Sequence, residues 1–321
     1  MPSEEFVRGM MYLSLTVVGI PGNTAIVVAF LSVLHRDKRL LAADAIVLHL
    51  ACVNLVVVAV RCLLETLASL RLADIFSEAA CKGVIFVYRT SRSLSIWLTF
   101  VLSTYQCLSI APPGSRWASF RSLLGRYLWV VFLALWLINM CMTSAAVLFS
   151  LSAKNVSLSA NHGINVQFCY VNFPSKLSKE ANGAAQVGRD VVPMMLMTLA
   201  SLIILHFLYK HSQQLKGLRG AGGGRGGGGS SERRAAKAVV ALVTLYVVLY
   251  GVDNGIWVYT LTVRKTMSKS LFSDLRIFFS SLYCALSPVV IIASNRKVNG
   301  RLRCAVQSNF IKEGATTLST L

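Results

Sequence analysis

Five ionisable residues stand where ionisable residues are costly. Arg61 and Glu65 lie in one long apolar block, Arg89 and Arg92 in the next, and Asp253 in a third. A charge at the centre of a bilayer costs about 2.5–3.5 kcal/mol on insertion scales, so each such residue is a functional-site candidate by default. Arg61 and Glu65 are four apart and can pair on one helix face. Arg89 and Arg92 are three apart, Tyr88 and Arg92 four apart, so all three lie on neighbouring parts of one face. Asp253, followed by Asn254, can oppose one of these arginines. Two arginines against one aspartate leave positive charge over, which a carboxylate or sulfate would satisfy in the fork geometry that arginine favours. The alternative is a neutral network that only fixes helix packing, and the two can coexist. His49 is read as a hydrogen-bonded packing residue rather than a ligand.

These residues need a scaffold that crosses a membrane. The chain has 321 residues, 55% hydrophobic and 14% charged, with a mean hydropathy of +0.61. Soluble domains are about 25% charged. Apolar blocks predict seven spans at 10–34, 42–70, 81–111, 127–151, 189–209, 235–262 and 275–294. The fold class expected is an all-α membrane protein, a seven-helix bundle filling 10–294. The acidic-leaning segment 1–9 precedes it as an outer tail, and 295–321 follows as a short basic tail. No cleavable signal peptide is visible, so the first span is expected to act as the targeting signal.

The net charge of +19 does not point to nucleic acid, because the basic residues lie between spans. More Lys and Arg fall on the inner loops and tail if the first terminus is outside, so the last terminus is expected in the cytoplasm. The segment 211–234 includes GAGGGRGGGGSS and is expected to be a flexible inner loop. It lacks the repeated RGG units and aromatics of an RNA-binding tract, and no strand or Lys-Ser/Thr accompanies it as in a phosphate cradle. No catalytic arrangement, cofactor motif or metal-ligand cluster is present in the sequence, and the chain is not expected to be an enzyme.

Cys52, Cys62, Cys107, Cys141 and Cys284 lie within spans, where a free thiol behaves as a small hydrophobe. Cys81 opens the third span and Cys169 lies in the long segment after the fourth, both on the expected outer side where disulfides persist. A bridge between them would pin that segment over the third span. Measured from Cys81, Tyr88, Arg89 and Arg92 are roughly 10–17 Å down the helix, the depth of a pocket open to the outside. Asn155-Val156-Ser157 is a glycosylation sequon in the same segment. Cys304, shortly beyond the last span, is a lipidation candidate, with an unmodified thiol the alternative.

The order of several short motifs resembles the vomeronasal type-1 receptor family and its fish relatives, the class A-like olfactory receptors, within the rhodopsin-like superfamily. They are His49-Leu50-Ala51 through Asn54-Leu55; Tyr88-Arg89 through Arg92-Ser93-Leu94-Ser95-Ile96; Leu102-Ser103-Thr104-Tyr105-Gln106 through Ser109-Ile110-Ala111-Pro112; Glu232-Arg233-Arg234-Ala235; Tyr250 through Asp253; and Ser287-Pro288. The Cys81/Cys169 pair and a proline in the fifth span add to the match. Tyr105-Gln106-Cys107 stands where rhodopsin-like receptors carry Asp-Arg-Tyr. Asn54 replaces a sodium-binding aspartate, and Ser287-Pro288-Val289-Val290-Ile291 replaces Asn-Pro-x-x-Tyr.

The resemblance implies a plasma-membrane chemosensory receptor for small pheromone-like molecules or odorants, including organic acids or steroid derivatives. It also implies coupling to a heterotrimeric G protein of the inhibitory class. On this reading Tyr88, Arg89, Arg92, Arg61, Glu65, Asp253 and Asn254 surround the ligand. Tyr105, Gln106, Arg116, Arg233 and Arg234 then face the G protein. A bitter-taste-like receptor is the rival within receptors, disfavoured by the outer cysteine pair. A small transporter or channel using the buried charges as a relay is the rival outside them, and no internal repeat supports it.

Overall fold

The computed structural model describes residues 2–70, 78–110, 116–148, 150–152, 163–166, 169–172, 174–219, 229–262 and 269–294. The described residues are helical apart from one small sheet and short turns. In order, the helices are α1 (Pro2–Asp37), α2 (Ala42–Val57) and α3 (Leu64–Ser69), the last two joined without a break by a π-helical segment (Val58–Leu63). Then come α4 (Glu78–Ile110), α5 (Arg116–Arg126) and α6 (Leu128–Leu148), and after the sheet α7 (Lys176–Arg219), α8 (Gly229–Thr262) and α9 (Lys269–Ser294).

Four helical stretches among the described residues are long and apolar enough to cross a membrane: Phe6–Asp37, Ala42–Ser69, Ala79–Ile110 and Glu180–Lys210. A fifth is added if Ser119–Arg126 and Leu128–Ser144, bent by 65°, form one broken span; Ile277–Ala293 is apolar but shorter. Outward-facing residues of α6 include Trp129, Val130, Leu133, Leu137 and Ile138, all more than half exposed. A stripe of that kind is at home against lipid tails, not water.

α4 is the axis of the bundle. It packs against α2, α6, α7 and α8, and its apolar window is 61% buried, against 33% for that of α1 and 28% for that of α7. The sequence explains why one helix can be so enclosed. Ser91, Ser93, Ser95, Thr99 and Ser103 are buried on α4, and such small hydroxyls let neighbours approach while bonding to the helix's own carbonyls. Thr99 Oγ1 donates to the Ser95 carbonyl at 2.7 Å, and Ser103 Oγ to the Thr99 carbonyl at 2.9 Å.

Several expectations change. The helix of the fifth span begins at Lys176, well before 189, so 176–188 is helical and not polar loop. The remainder of that segment is not featureless: Ser150–Ser152, Gly163–Val166 and Cys169–Asn172 form an antiparallel sheet in the order β1-β3-β2. The stretch between the expected third and fourth spans contains α5. Of the segment expected to be flexible at 211–234, the backbone of 211–219 and 229–234 is helical, and 220–228 lies outside the described residues. The outer tail expected at 1–9 is continuous with α1 from Pro2 onward.

α1 meets α9 across glycine. A Cβ on Gly22 would fall 2.9 Å from Pro288 Cβ, and one on Gly19 3.1 Å from the Ala285 backbone and 3.0 Å from Val58. The proline ring cannot swing away as a flexible side-chain end could. Gly22→Ala is therefore expected to destabilise the bundle by about 1–3 kcal/mol, the usual cost of overpacking. It should melt several degrees below wild type when purified in detergent, whereas Gly83→Ala, where nothing lies within 4 Å, should melt as wild type does.

Candidate functional site

The site is organised by Arg92, which α4 carries at the level where α7, α8 and α9 converge. Its Nη1 donates to Asp190 Oδ2 at 2.9 Å, and its Nη2 to Asp253 Oδ2 at 2.8 Å. Its Nε donates to Ser280 Oγ. The guanidinium carbon also lies 4.9 Å from the centre of the Tyr250 ring, within cation–π range. One side chain of α4 thus ties α7, α8 and α9 together. Both carboxylates are almost wholly enclosed, with side chains 5% and 3% exposed against 14% for Arg92.

A second arginine flanks the first acid. Arg189 Nε donates to Asp190 Oδ1 at 3.4 Å, and Arg189 Nη1 to Thr143 Oγ1 on α6 at 3.4 Å. Asp190 therefore lies between two guanidiniums. Below Arg92 the floor is aromatic. Tyr246 and Tyr250 stack with ring centres 4.2 Å apart, and Tyr283 stands edge-on to Tyr246 at 5.3 Å. All three are fully buried.

The sequence-predicted residues fall around this centre unequally. Asp253 meets Arg92, as the opposition of their charges suggested. Tyr88, one turn above Arg92, places its hydroxyl 3.3 Å from Ser280 Oγ. Arg61 and Glu65 pair at 3.3 Å and are buried together, with the Arg61 guanidinium 5.7 Å from the Tyr88 ring centre. Arg61 is carried by the π-helical segment, a local widening of the helix often found at functional sites. Arg89 is partly buried on the flank of α4.

His49 does the packing work expected of it: its Nε2 accepts from Trp136 Nε1 at 3.0 Å, and its ring lies edge-on to Phe132. Tyr105 and Gln106 are 9% and 8% exposed. Their side chains turn into the bundle and do not present a surface to a partner in this arrangement. Asn155, Cys304 and the side chains of Cys169, Arg116, Arg233, Arg234 and Asn254 lie outside the described residues. Cys81, buried on α4, is disulfide-bonded. β1 packs on α4, and its Ser152 pairs with Cys169 in the sheet.

Sequence reasoning missed Asp190, Arg189 and Ser280. The first two stood at the expected beginning of the fifth span, where an Arg-Asp pair reads as the water-facing edge of a helix. Because α7 starts at Lys176, the pair is inside the bundle. Adding both leaves the surplus of arginine over carboxylate unchanged. Ser280 gave no signal beyond its apolar neighbours.

Deeper in the bundle is a neutral seam. Ser95 Oγ donates to Asn54 Oδ1 at 2.6 Å, and Asn54 Nδ2 donates to Ser287 Oγ at 2.9 Å. Asn23 Nδ2 donates to the Cys284 carbonyl at 3.0 Å, and the Thr99 and Tyr283 hydroxyls are 2.8 Å apart. The seam fastens α1, α2, α4 and α9 without using a charge. Among the described residues there is no cluster of His, Cys, Asp or Glu able to hold a metal.

A helical bundle of membrane-crossing length, enclosing an ion-paired polar site beneath one end of its central helix, marks a multi-pass membrane protein. Comparison with known proteins is specific within that class. The model of the vomeronasal organ pheromone receptor family matches residues 7–303, and the chain belongs to that family. It is 36% identical over 300 residues to "Olfactory receptor class A-like protein 1" of Danio rerio, covering 93% of this chain and 92% of that protein. It is 28% identical over 221 residues to "Vomeronasal type-1 receptor 3" of Homo sapiens, covering 68% and 71%. Against "Vomeronasal type-1 receptor 1" of Gorilla gorilla gorilla it is 24% identical over 294 residues, covering 91% and 81%. The chain is a chemosensory receptor.

Removing one member of a buried ion pair costs about 3–5 kcal/mol, because the partner is left in a poor solvent. Arg92→Gln takes the same guanidinium from two carboxylates and is expected to lower the melting temperature of the purified receptor strongly. The triple variant Arg92→Gln/Asp190→Asn/Asp253→Asn should recover most of that loss. If it melts no higher than the single variant, the charges are not the reason.

Proposed function

We propose that this protein is a plasma-membrane receptor with seven spans, its first terminus outside and its last in the cytoplasm. It would bind a small pheromone-like or odorant molecule carrying an acidic group and activate a heterotrimeric G protein of the inhibitory class. The observation that carries this reading is the buried Arg92, facing the common space of α4, α7, α8 and α9 on a chain of the vomeronasal receptor family. A guanidinium there offers parallel N–H donors to a carboxylate or sulfate, and the half-buried Tyr88 ring offers an apolar face to the rest of the ligand.

Ligand enters from the end of the bundle where Cys81 is found. Arg92 and Arg89 hold its acidic group, Tyr88 lies against its body, and Asp253 is the counter-charge in the empty state. Arg61, Glu65 and Asn254 complete the surroundings. Cys81 pairs with Cys169, closing the small sheet over α4, and Asn155 carries glycan in the same segment. At the opposite end, Tyr105, Gln106, Arg116, Arg233 and Arg234 meet the G protein. Tyr105 and Gln106 come into reach only when the helices around them part. The ligand acts because it favours that opened arrangement, since equal affinity for both would shift nothing.

The test is a panel of small acids applied to cells expressing the receptor with a promiscuous G protein. Acids are expected to activate wild type. Arg92→Ala and Arg89→Ala should each lose potency by about tenfold or more, on the order of one charge-assisted contact. Unchanged potency in both, at wild-type surface expression, would falsify the anion site. Asp253→Asn should raise signalling without ligand.

A further inference from the structure

We infer that Asp190 is a built-in competitor for the anion site: a carboxylate, held on α7, that occupies Arg92 in the resting receptor and moves onto Arg189 when a ligand's carboxylate takes its place. The inference rests on the proposed reading that Arg92 receives an acidic group. Its own ground is the geometry of the two acids.

An acidic ligand arriving at Arg92 meets a guanidinium whose two terminal nitrogens already donate to carboxylates, at 2.9 Å to Asp190 and 2.8 Å to Asp253. A third carboxylate cannot simply be added, because like charges in contact within a poor solvent repel strongly. One acid must give way, and a buried carboxylate can leave a cation only for another. Asp190 has that second cation in place. Its Oδ2 faces Arg92, while its Oδ1 already accepts from Arg189 Nε at 3.4 Å. That contact is long, with room to shorten as the contact to Arg92 is given up. Arg189 is itself anchored by Thr143 on α6, so the receiving guanidinium is held on the far side of Asp190.

The exchange leaves Arg92 with two carboxylates, as before, and Asp190 with a guanidinium of its own. The ligand's carboxylate replaces Asp190 on Arg92 Nη1, Asp190 tightens on Arg189, and Asp253 keeps Nη2. It also has a mechanical consequence. The Arg92–Asp190 pair is a tie between α4 and α7, and replacing it with a mobile ligand releases α7 from α4. The ligand class that fits is a monoanion presenting a planar carboxylate. A cation would have to compete with Arg92 for both acids, and a neutral molecule has nothing to exchange.

The experiment measures dose–response curves for benzoate and its uncharged amide, benzamide, in cells expressing the full chain with a promiscuous G protein, at matched surface expression. Asp190→Asn removes the competitor and leaves Arg92 in place. Its half-maximal benzoate concentration is expected to fall about tenfold or more, the order of effect of one charged hydrogen bond. The benzamide response should stay where it was. A benzoate curve that is unchanged or shifted to higher concentration overturns the inference, while loss of the response in Arg92→Ala in the same experiment leaves the anion site standing.

Should Asp190→Asn fail to reach the surface, Arg189→Gln carries the test. Losing the receiving guanidinium should raise the benzoate half-maximal concentration about tenfold and leave benzamide unaffected, on the same one-contact scale. An unmoved benzoate curve there overturns the exchange. If no acid of the wider panel activates wild type, the anion reading fails and the exchange fails with it.

Discussion

The enclosure of one guanidinium governs this structure. Arginine keeps its proton under all ordinary conditions, so a chain that places it inside a membrane bundle must surround it with acceptors or abandon the fold. Arg92 is surrounded on every polar edge: Asp190 from α7, Asp253 from α8 and Ser280 from α9, with the Tyr250 ring against its plane. Those partners fix the rotation of three helices about their own axes. They also fix the depth at which the three helices meet α4. The arrangement of the bundle at this level follows from satisfying one side chain.

The inner seam solves a different problem. Asn54, Ser95 and Ser287 satisfy one another as neutral groups, and Asn23 and Tyr283 close the ends of the row. Interhelical hydrogen bonds in membranes average about 0.6 kcal/mol, since the unfolded helices also find partners in lipid. Such a seam sets register and adds little to the energy gap between arrangements. The charged centre above it makes and breaks large terms. A bundle built this way resists random slippage along its inner half and keeps its one costly rearrangement at the level of Arg92.

How far the sequence revealed this depended on whether a residue contradicted its neighbours. Arg61, Glu65, Arg89, Arg92 and Asp253 stand out because each interrupts an apolar run, and the i,i+4 spacing of Arg61 and Glu65 was enough to pair them. Asp190 and Arg189 did not stand out, because polar residues lead into α7 from Lys176 and nothing in composition marks where the bundle begins. Ser280 is an ordinary small residue that becomes an acceptor only because α9 turns it toward α4. Helix ends were harder to read than helix interiors. They were not legible where helix simply runs on past the apolar stretch, as in α1 and α7. The small sheet was missed because three- and four-residue strands are too short to show an alternating pattern.

A site so fully paired raises the question of how it could bind anything with useful affinity. Empty buried charges would bind a counter-ion tightly, but they would not stay empty or folded, given the several kcal/mol that an uncompensated buried ion costs. Full pairing solves the folding problem and, on the proposed reading of an acidic ligand, moves the recognition problem to exchange. Affinity then reflects the difference between two similar contacts, one to a tethered carboxylate and one to a free carboxylate that must first give up its water. That difference is small, and the free ligand also loses its translational freedom. On the proposed reading, the remaining binding energy has to come from the apolar body of the ligand against the aromatic lining, Tyr88 first. Selectivity in such a receptor is therefore divided: the charge exchange decides whether a molecule can enter the contact at all, and the aromatic walls decide which of the molecules that qualify are held.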